Sequence, residues 1–144
     1  MAHPTITLTG YSTALFSTWF FVTSTNEEHE ISVDGGEIEK HQWINPSAAL
    51  QQHSEGKINL VPPTWVSPYH LSQFNSTAEA MDALGNIEPR FYRTHIVENS
   101  DGVRVALWDG DAGYEARSAE IEGPTHRLIM AKDGFEFFHT AVEY

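Results

Sequence analysis

Residues 127–138 read RLIMAKDGFEFF, two apolar and aromatic runs joined across Asp133-Gly134. An Asp-Gly pair between such runs is a strong signal for a two-residue hairpin, because both residues tolerate the positive φ values that tight turns need. The spacing predicts antiparallel strands over 127–131 and 135–138. Asp101-Gly102 stands in the same relation to residues 94–97 and 103–107, which predicts a second hairpin. From Phe91 onward the chain therefore reads as antiparallel β.

Upstream, the punctuation becomes that of helices. Asn45-Pro46 supplies an N-cap followed by proline at the first helical position, and Gly56 closes a short helix. Thr64 is placed to cap a second helix running to Phe74, with Pro68 in its first turn, where the missing N–H matters least. Ser76-Thr77-Ala78-Glu79 is a capping box, and Gly85 stands where a third helix would end. Farther upstream, residues 14–22 (ALFSTWFFV) contain no Pro or Gly and read as a central strand buried on both faces. Residues 37–44 (EIEKHQWI) alternate loosely and predict another strand. Trp19, Phe21, Trp43 and Leu50 are the core expected where these strands meet the first helix. The expected class is α+β: a mixed sheet, short helices and a C-terminal antiparallel hairpin region, in one domain over residues 1–144.

Composition limits the partners. With 40% hydrophobic and 12% aromatic residues, the 144-residue chain has the material for a core, and a chain of this size buries roughly 70% of its unfolded surface. Twenty acids against eight bases give a formal charge of −12. Such a surface repels phosphates and anionic lipid, so neither nucleic acid nor membrane is an expected partner. No cysteine is present, which removes disulfides and thiolate-held metals. No apolar run approaches the ~20 residues of a span and no basic leader opens the chain, so the expected location is cytoplasmic.

The eight histidines, His3, His29, His41, His53, His70, His95, His126 and His139, are scattered, and none lies in a HExxH or His-x-His pattern. Either three assemble a site in space or they are ordinary surface and core residues. Glu27, Glu28, Glu30, Asp34, Glu37 and Glu39 are carboxylates of the kind hard cations prefer, but their spacing fits no EF-hand loop and equally suits a solvated strand edge. Residues 109–113 (DGDAG) read as an acidic turn. G-x-S-x-G, the P-loop and G-x-G-x-x-G are all missing.

Taken in chain order, residues 15–22 (LFSTWFFV), 36–44 (GEIEKHQWI) and 45–50 (NPSAAL) resemble the later half of a Nudix hydrolase domain. In that family an aromatic strand precedes a Glu-bearing strand ending in Trp, and a helix opening on Pro follows. Residues 56–65 (GKINLVPPTW) narrow the resemblance to the branch that includes mitochondrial coenzyme A diphosphatases and their bacterial relatives. Residues 101–103 (DGV), 110–114 (GDAGY) and 123–128 (GPTHRL) are similar to the tails of the bacterial members. The likeness covers roughly residues 15–138 of the chain.

The resemblance implies hydrolysis of a coenzyme A-like or nucleoside diphosphate. There, Mg²⁺ or Mn²⁺ held by the Nudix box, G-x5-E-x7-R-E-U-x-E-E-x-G-U with U aliphatic, neutralises the phosphoryl oxygens and orients water. The box is absent here: none of the ten glycines has Glu six positions later, and no Arg-Glu dipeptide occurs. Fourteen residues precede Leu15, too few for the strands and box helix that come first in the family. The expectation is a Nudix-related truncated domain without independent diphosphatase activity, needing no cofactor and binding a ligand or a partner. By the resemblance, Glu37 and Glu39 match a strand where some Nudix enzymes keep an accessory metal ligand or base, and they are the candidate metal ligands. No catalytic residue is assigned. Phe16, Trp19 and Trp65 are the candidate substrate-binding residues, as walls of an aromatic pocket.

Two alternatives stand beside this reading. One is a working hydrolase that recruits its Mg²⁺ or Mn²⁺ carboxylates from elsewhere or from another subunit. The other is a structural or interaction protein that completes its sheet by oligomerising. A homodimer is expected, since residues 14–22 carry no Lys or Pro to block an open edge.

Overall fold

The computed structural model describes residues 18–25 and 42–144, and the architecture within them is α+β. Helix α1 (Pro46–Ser54) starts where expected: the Asn45 side chain accepts from the Ser47 N–H at 2.9 Å, and Pro46 needs no acceptor in the first turn. Gly56, at φ +71°, takes the chain out of the helix. Helix α2 (Pro62–Leu71) begins two residues before the expected Thr64 cap, after Val61, and ends short of Phe74. Pro62 and Pro63 fill first-turn positions that donate no hydrogen bond, which leaves Pro68 in the interior rather than the first turn. In α3 (Thr77–Gly85) the Ser76 hydroxyl accepts from the Glu79 N–H at 3.2 Å, and the Glu79 carboxylate accepts from the Asn75 N–H at 2.9 Å. That closes the capping box one residue further out than its usual form.

Four strands follow: β1 (His95–Glu98), β2 (Arg104–Leu107), β3 (Arg127–Ala131) and β4 (Gly134–Phe138). They pair in chain order, each antiparallel to the next, so the described sheet is antiparallel throughout. Both expected hairpins form, but Ala131 pairs with Gly134, so Lys132-Asp133 makes the tight turn and Gly134 opens β4, and residues 99–103 join β1 to β2. Alternation sorts the side chains onto two faces. Ala106, Trp108 and Leu128 form one buried cluster with Trp65 and Val66 of α2, and Leu50, Met130, Phe135 and Phe137 pack against it. Val105 and Leu107 point the other way and are covered by Tyr114, with Val97, Ala119 and Ile129 beside them. Helices therefore close one face, and the long connection between β2 and β3 closes the other.

The two upstream strand expectations need correction where the described residues reach them. Residues 18–22 are not in the sheet, and Trp19, Phe20 and Phe21 are 70%, 58% and 87% exposed. Residues 42–44 lead irregularly into α1, and Trp43 is 70% exposed. Of the four expected core residues, Leu50 alone reaches the core, half-buried against the first cluster. The central strands β2 and β3 are covered on both faces by residues after 45, and the described part of the aromatic run takes no share in that core. The remainder of both runs, residues 14–17 and 37–41, lies outside the described residues. Among the described residues no helix is long and apolar enough to cross a membrane.

Candidate functional site

A cleft of about 430 Å³ opens between α1, α2 and the β3–β4 hairpin. Its apolar floor is Leu50, Trp65 and Phe135, and its polar groups are Gln51, His53, Ser54, Asp133 and Glu136. The floor is held from below. Trp65 is 6% exposed, stacks on Tyr69 with ring centroids 5.4 Å apart, and lies 6.0 Å from the Phe135 ring. The last turn of α1 supplies Gln51, His53 and Ser54, and the β3–β4 hairpin supplies Asp133 and Glu136.

Hydrogen-bond inventory gives the rim its character. The Leu60 N–H donates to His53 Nδ1 at 3.2 Å, so the ring presents its Nε2–H as a donor. The His53 ring meets Phe135 edge-on at 4.4 Å, which fixes its plane. Gln51 spends its amide N–H on Glu55 at 2.8 Å, leaving its amide oxygen as an acceptor. Ser54 donates its hydroxyl proton to the Gln51 carbonyl at 2.8 Å. With Asp133 and Glu136 at the hairpin, the cleft is rich in acceptors and anionic.

Of the candidate site residues, Trp65 lines this cleft. Trp19 does not: it is exposed, and its ring stacks on Phe21 at 6.2 Å. Phe16, Glu37 and Glu39 lie outside the described residues. Among the described residues no group of three or more His, Asp or Glu converges in a way that could hold a metal ion. His53 escaped notice in the sequence as one of eight scattered histidines; its spacing from Trp65 carries no motif, and the register that brings Phe135 to it is a tertiary fact.

The two tail segments, GDAGY and GPTHRL, meet. Arg127 donates to Asp111 through Nε at 2.7 Å and Nη2 at 2.6 Å, a bidentate pair. Asp111 also accepts from the Gly113 and His126 N–H groups at 2.8 and 2.9 Å, and Arg127 Nη1 donates to the Ala119 carbonyl at 2.6 Å. A Cβ at Gly113 would overlap the Ser118 carbonyl oxygen, so this turn admits glycine. The acidic turn read from residues 109–113 is thus the clamp that fastens the β2–β3 connection to the sheet.

No family model, curated protein or solved structure matches the chain.

Proposed function

We propose that the chain is a Nudix-related binding module without diphosphatase activity of its own, and that the cleft beside Trp65 takes a small organic cation with a flat apolar body. The observation that carries this reading is the cleft's chemistry: an aromatic floor under Asp133, Glu136 and the free Gln51 oxygen, with a donor at His53. In water-like surroundings an ion pair at 4 Å is worth about 1 kcal/mol, and a like-charged group costs about as much. A coenzyme A-like or nucleoside diphosphate, the ligand class of the resembled family, would bring negative charge to that rim. An amidinium or ammonium would bring its counter-charge and donate to the waiting acceptors.

Calorimetric titration with benzamidine, alongside coenzyme A and ADP-ribose in Mg²⁺ or Mn²⁺, tests this. Saturable benzamidine binding, weakened about tenfold by Glu136→Gln (about 1.4 kcal/mol), is expected, with no hydrolysis of either diphosphate. Metal-dependent turnover that dies on Glu37→Gln or Glu39→Gln would replace this reading with the hydrolase one. Binding of coenzyme A but not benzamidine would overturn the ligand class.

A second reading rests on a different observation, the exposed Trp19, Phe20 and Phe21. A contiguous aromatic surface of this kind favours association, and we propose a second copy of the chain as its partner. The expected homodimer needs no cofactor and leaves the cleft free.

A further inference from the structure

A second aromatic hollow is built from four separate stretches of chain and holds the side chain of Tyr144. The Arg90 guanidinium lies 4.7 Å over the Tyr144 ring. Phe137 and His70 meet that ring edge-on at 5.0 and 5.3 Å, and His139 lies 5.0 Å away. The phenol oxygen is gripped as firmly as the ring: His126 Nε2 is 2.7 Å from it and the Tyr92 hydroxyl 2.6 Å.

The direction of these hydrogen bonds follows from the far end. His126 Nδ1 is 2.7 Å from the Asp109 carbonyl, which can only accept, so Nδ1 carries a proton. Burial holds His126 below its usual value, which favours the neutral ring. Nε2 is then an acceptor, Tyr144 donates to it, and Tyr92 donates to Tyr144. The hollow therefore offers a phenol one acceptor, one donor, a cation over the ring and aromatic edges around it. That is a complete binding site for one chemical group.

Four of its walls come from outside residues 139–144, whereas His139 belongs to that segment and Arg90 donates to its Glu143 carbonyl. His70 belongs to α2, Phe137 to β4, and Tyr92 and His126 lead into β1 and β3. Tyr144, by contrast, arrives on residues 139–144, which form no helix or strand. That segment is tied down by the Ala141 N–H to the Thr125 carbonyl at 2.9 Å, by the Thr125 and Thr140 N–H groups each donating to the other's hydroxyl at 2.9 and 3.1 Å, by Tyr69 to His139 at 3.1 Å, and by Arg90 to the Glu143 carbonyl. An open hollow of about 650 Å³ borders Phe137, His139 and Tyr144.

We infer that the hollow between Arg90, Tyr92, His126 and Phe137 is a binding site for a para-substituted phenol, with Tyr144 seated in it as a ligand in cis. A tethered ligand acts at an effective concentration in the millimolar range, so a free phenol must exceed that to displace it. Removing Tyr144 removes the competition. This inference does not rest on the cleft beside Trp65.

Thermal unfolding of the full chain and of Tyr144→Ala, with and without p-cresol, tests it. The melting temperature of Tyr144→Ala rises saturably with millimolar p-cresol while the parent chain shifts little. Toluene, lacking the hydroxyl, has a clearly weaker effect, and adding Tyr92→Phe weakens p-cresol binding about fivefold, as expected for one lost hydrogen bond. If Tyr144→Ala does not fold alone, p-cresol restores its near-ultraviolet circular dichroism, which reports the buried Trp108 beside the site. The tripeptide acetyl-Val-Glu-Tyr in place of p-cresol distinguishes the source: tighter binding of the peptide assigns the site to a tyrosine of another chain, and tighter p-cresol to a free phenol. Glu136→Gln leaves p-cresol binding unchanged. No saturable effect on the variant, an equal effect on both chains, or toluene equalling p-cresol would each overturn the inference.

Discussion

Asp111 is 6% exposed and keeps its charge. Burial alone pushes its carboxyl up; the Arg127 guanidinium and the His126 and Gly113 N–H groups outweigh that and hold it below the ordinary carboxylate value. Asp111→Asn would leave Arg127 without its charge partner in a site where the arginine side chain is 11% exposed. Urea unfolding should show a loss of about 3–5 kcal/mol, with faster amide exchange over residues 112–122. A loss under about 1 kcal/mol would mean that the clamp does not hold the connection. Acid should act in two stages. His126 and His70 both lie below their usual imidazole value, chiefly through burial. The unfolded chain then takes up protons before the folded one, so stability is full above about pH 6.5 and falls as pH drops through the lowered folded values. Asp111 adds its own loss at lower pH, as the solution passes below the ordinary aspartate value towards the depressed one. Stability measured from about pH 8 to about pH 2 checks this, and His70→Gln should flatten the slope of the first stage.

At the scale of elements, Trp43 and Trp108 divide what is local from what is not. Trp43 is 70% exposed and Trp108 fully buried between α2 and the sheet. Trp108→Ala should cost about 3–5 kcal/mol, and Trp43→Ala under about 1 kcal/mol; chemical denaturation of the two variants reads both. The inverse order would return residues 42–44 to the core. The caps of α1 and α3 and the positions of both hairpins were legible because their chemistry is local, while the start of α2 was not, since no side chain caps it. Asn45 caps α1, Ser76 and Glu79 cap α3, and the Asp-Gly pairs mark the two hairpins, Gly102 within the β1–β2 loop and Gly134 at the first position of β4. The aromatic run was not legible in the same way. Its composition says that it seeks cover without saying which surface supplies it, and here the helices and the β2–β3 connection cover the central strands β2 and β3. The candidate site was half legible for a similar reason. Trp65 stood out as a large aromatic, while His53 and Glu136 reach the same cleft through α1–hairpin packing that no spacing encodes.

For the whole molecule, two long-range tendencies oppose each other. A formal charge of −12 pushes copies of the chain apart, and the exposed Trp19, Phe20 and Phe21 draw them together. Their balance depends on salt, because screening shortens the reach of charge from about 8 Å at physiological ionic strength to about 3 Å at 1 M while leaving apolar contact intact. Light scattering of the 16.2 kDa chain should therefore show a mass that doubles with micromolar concentration, the midpoint moving to lower concentration as salt rises. A mass fixed at one chain across that range would remove the homodimer reading. Phe20→Lys separates the two tendencies because they respond to it with opposite sign. It reduces the charge of each chain by one, which would strengthen association governed by net repulsion alone. It also forces an ammonium into any shared aromatic surface, which must be desolvated as the copies meet. Dissociation of the variant at all salt concentrations places the contact on residues 18–22; tighter association places it elsewhere on the surface.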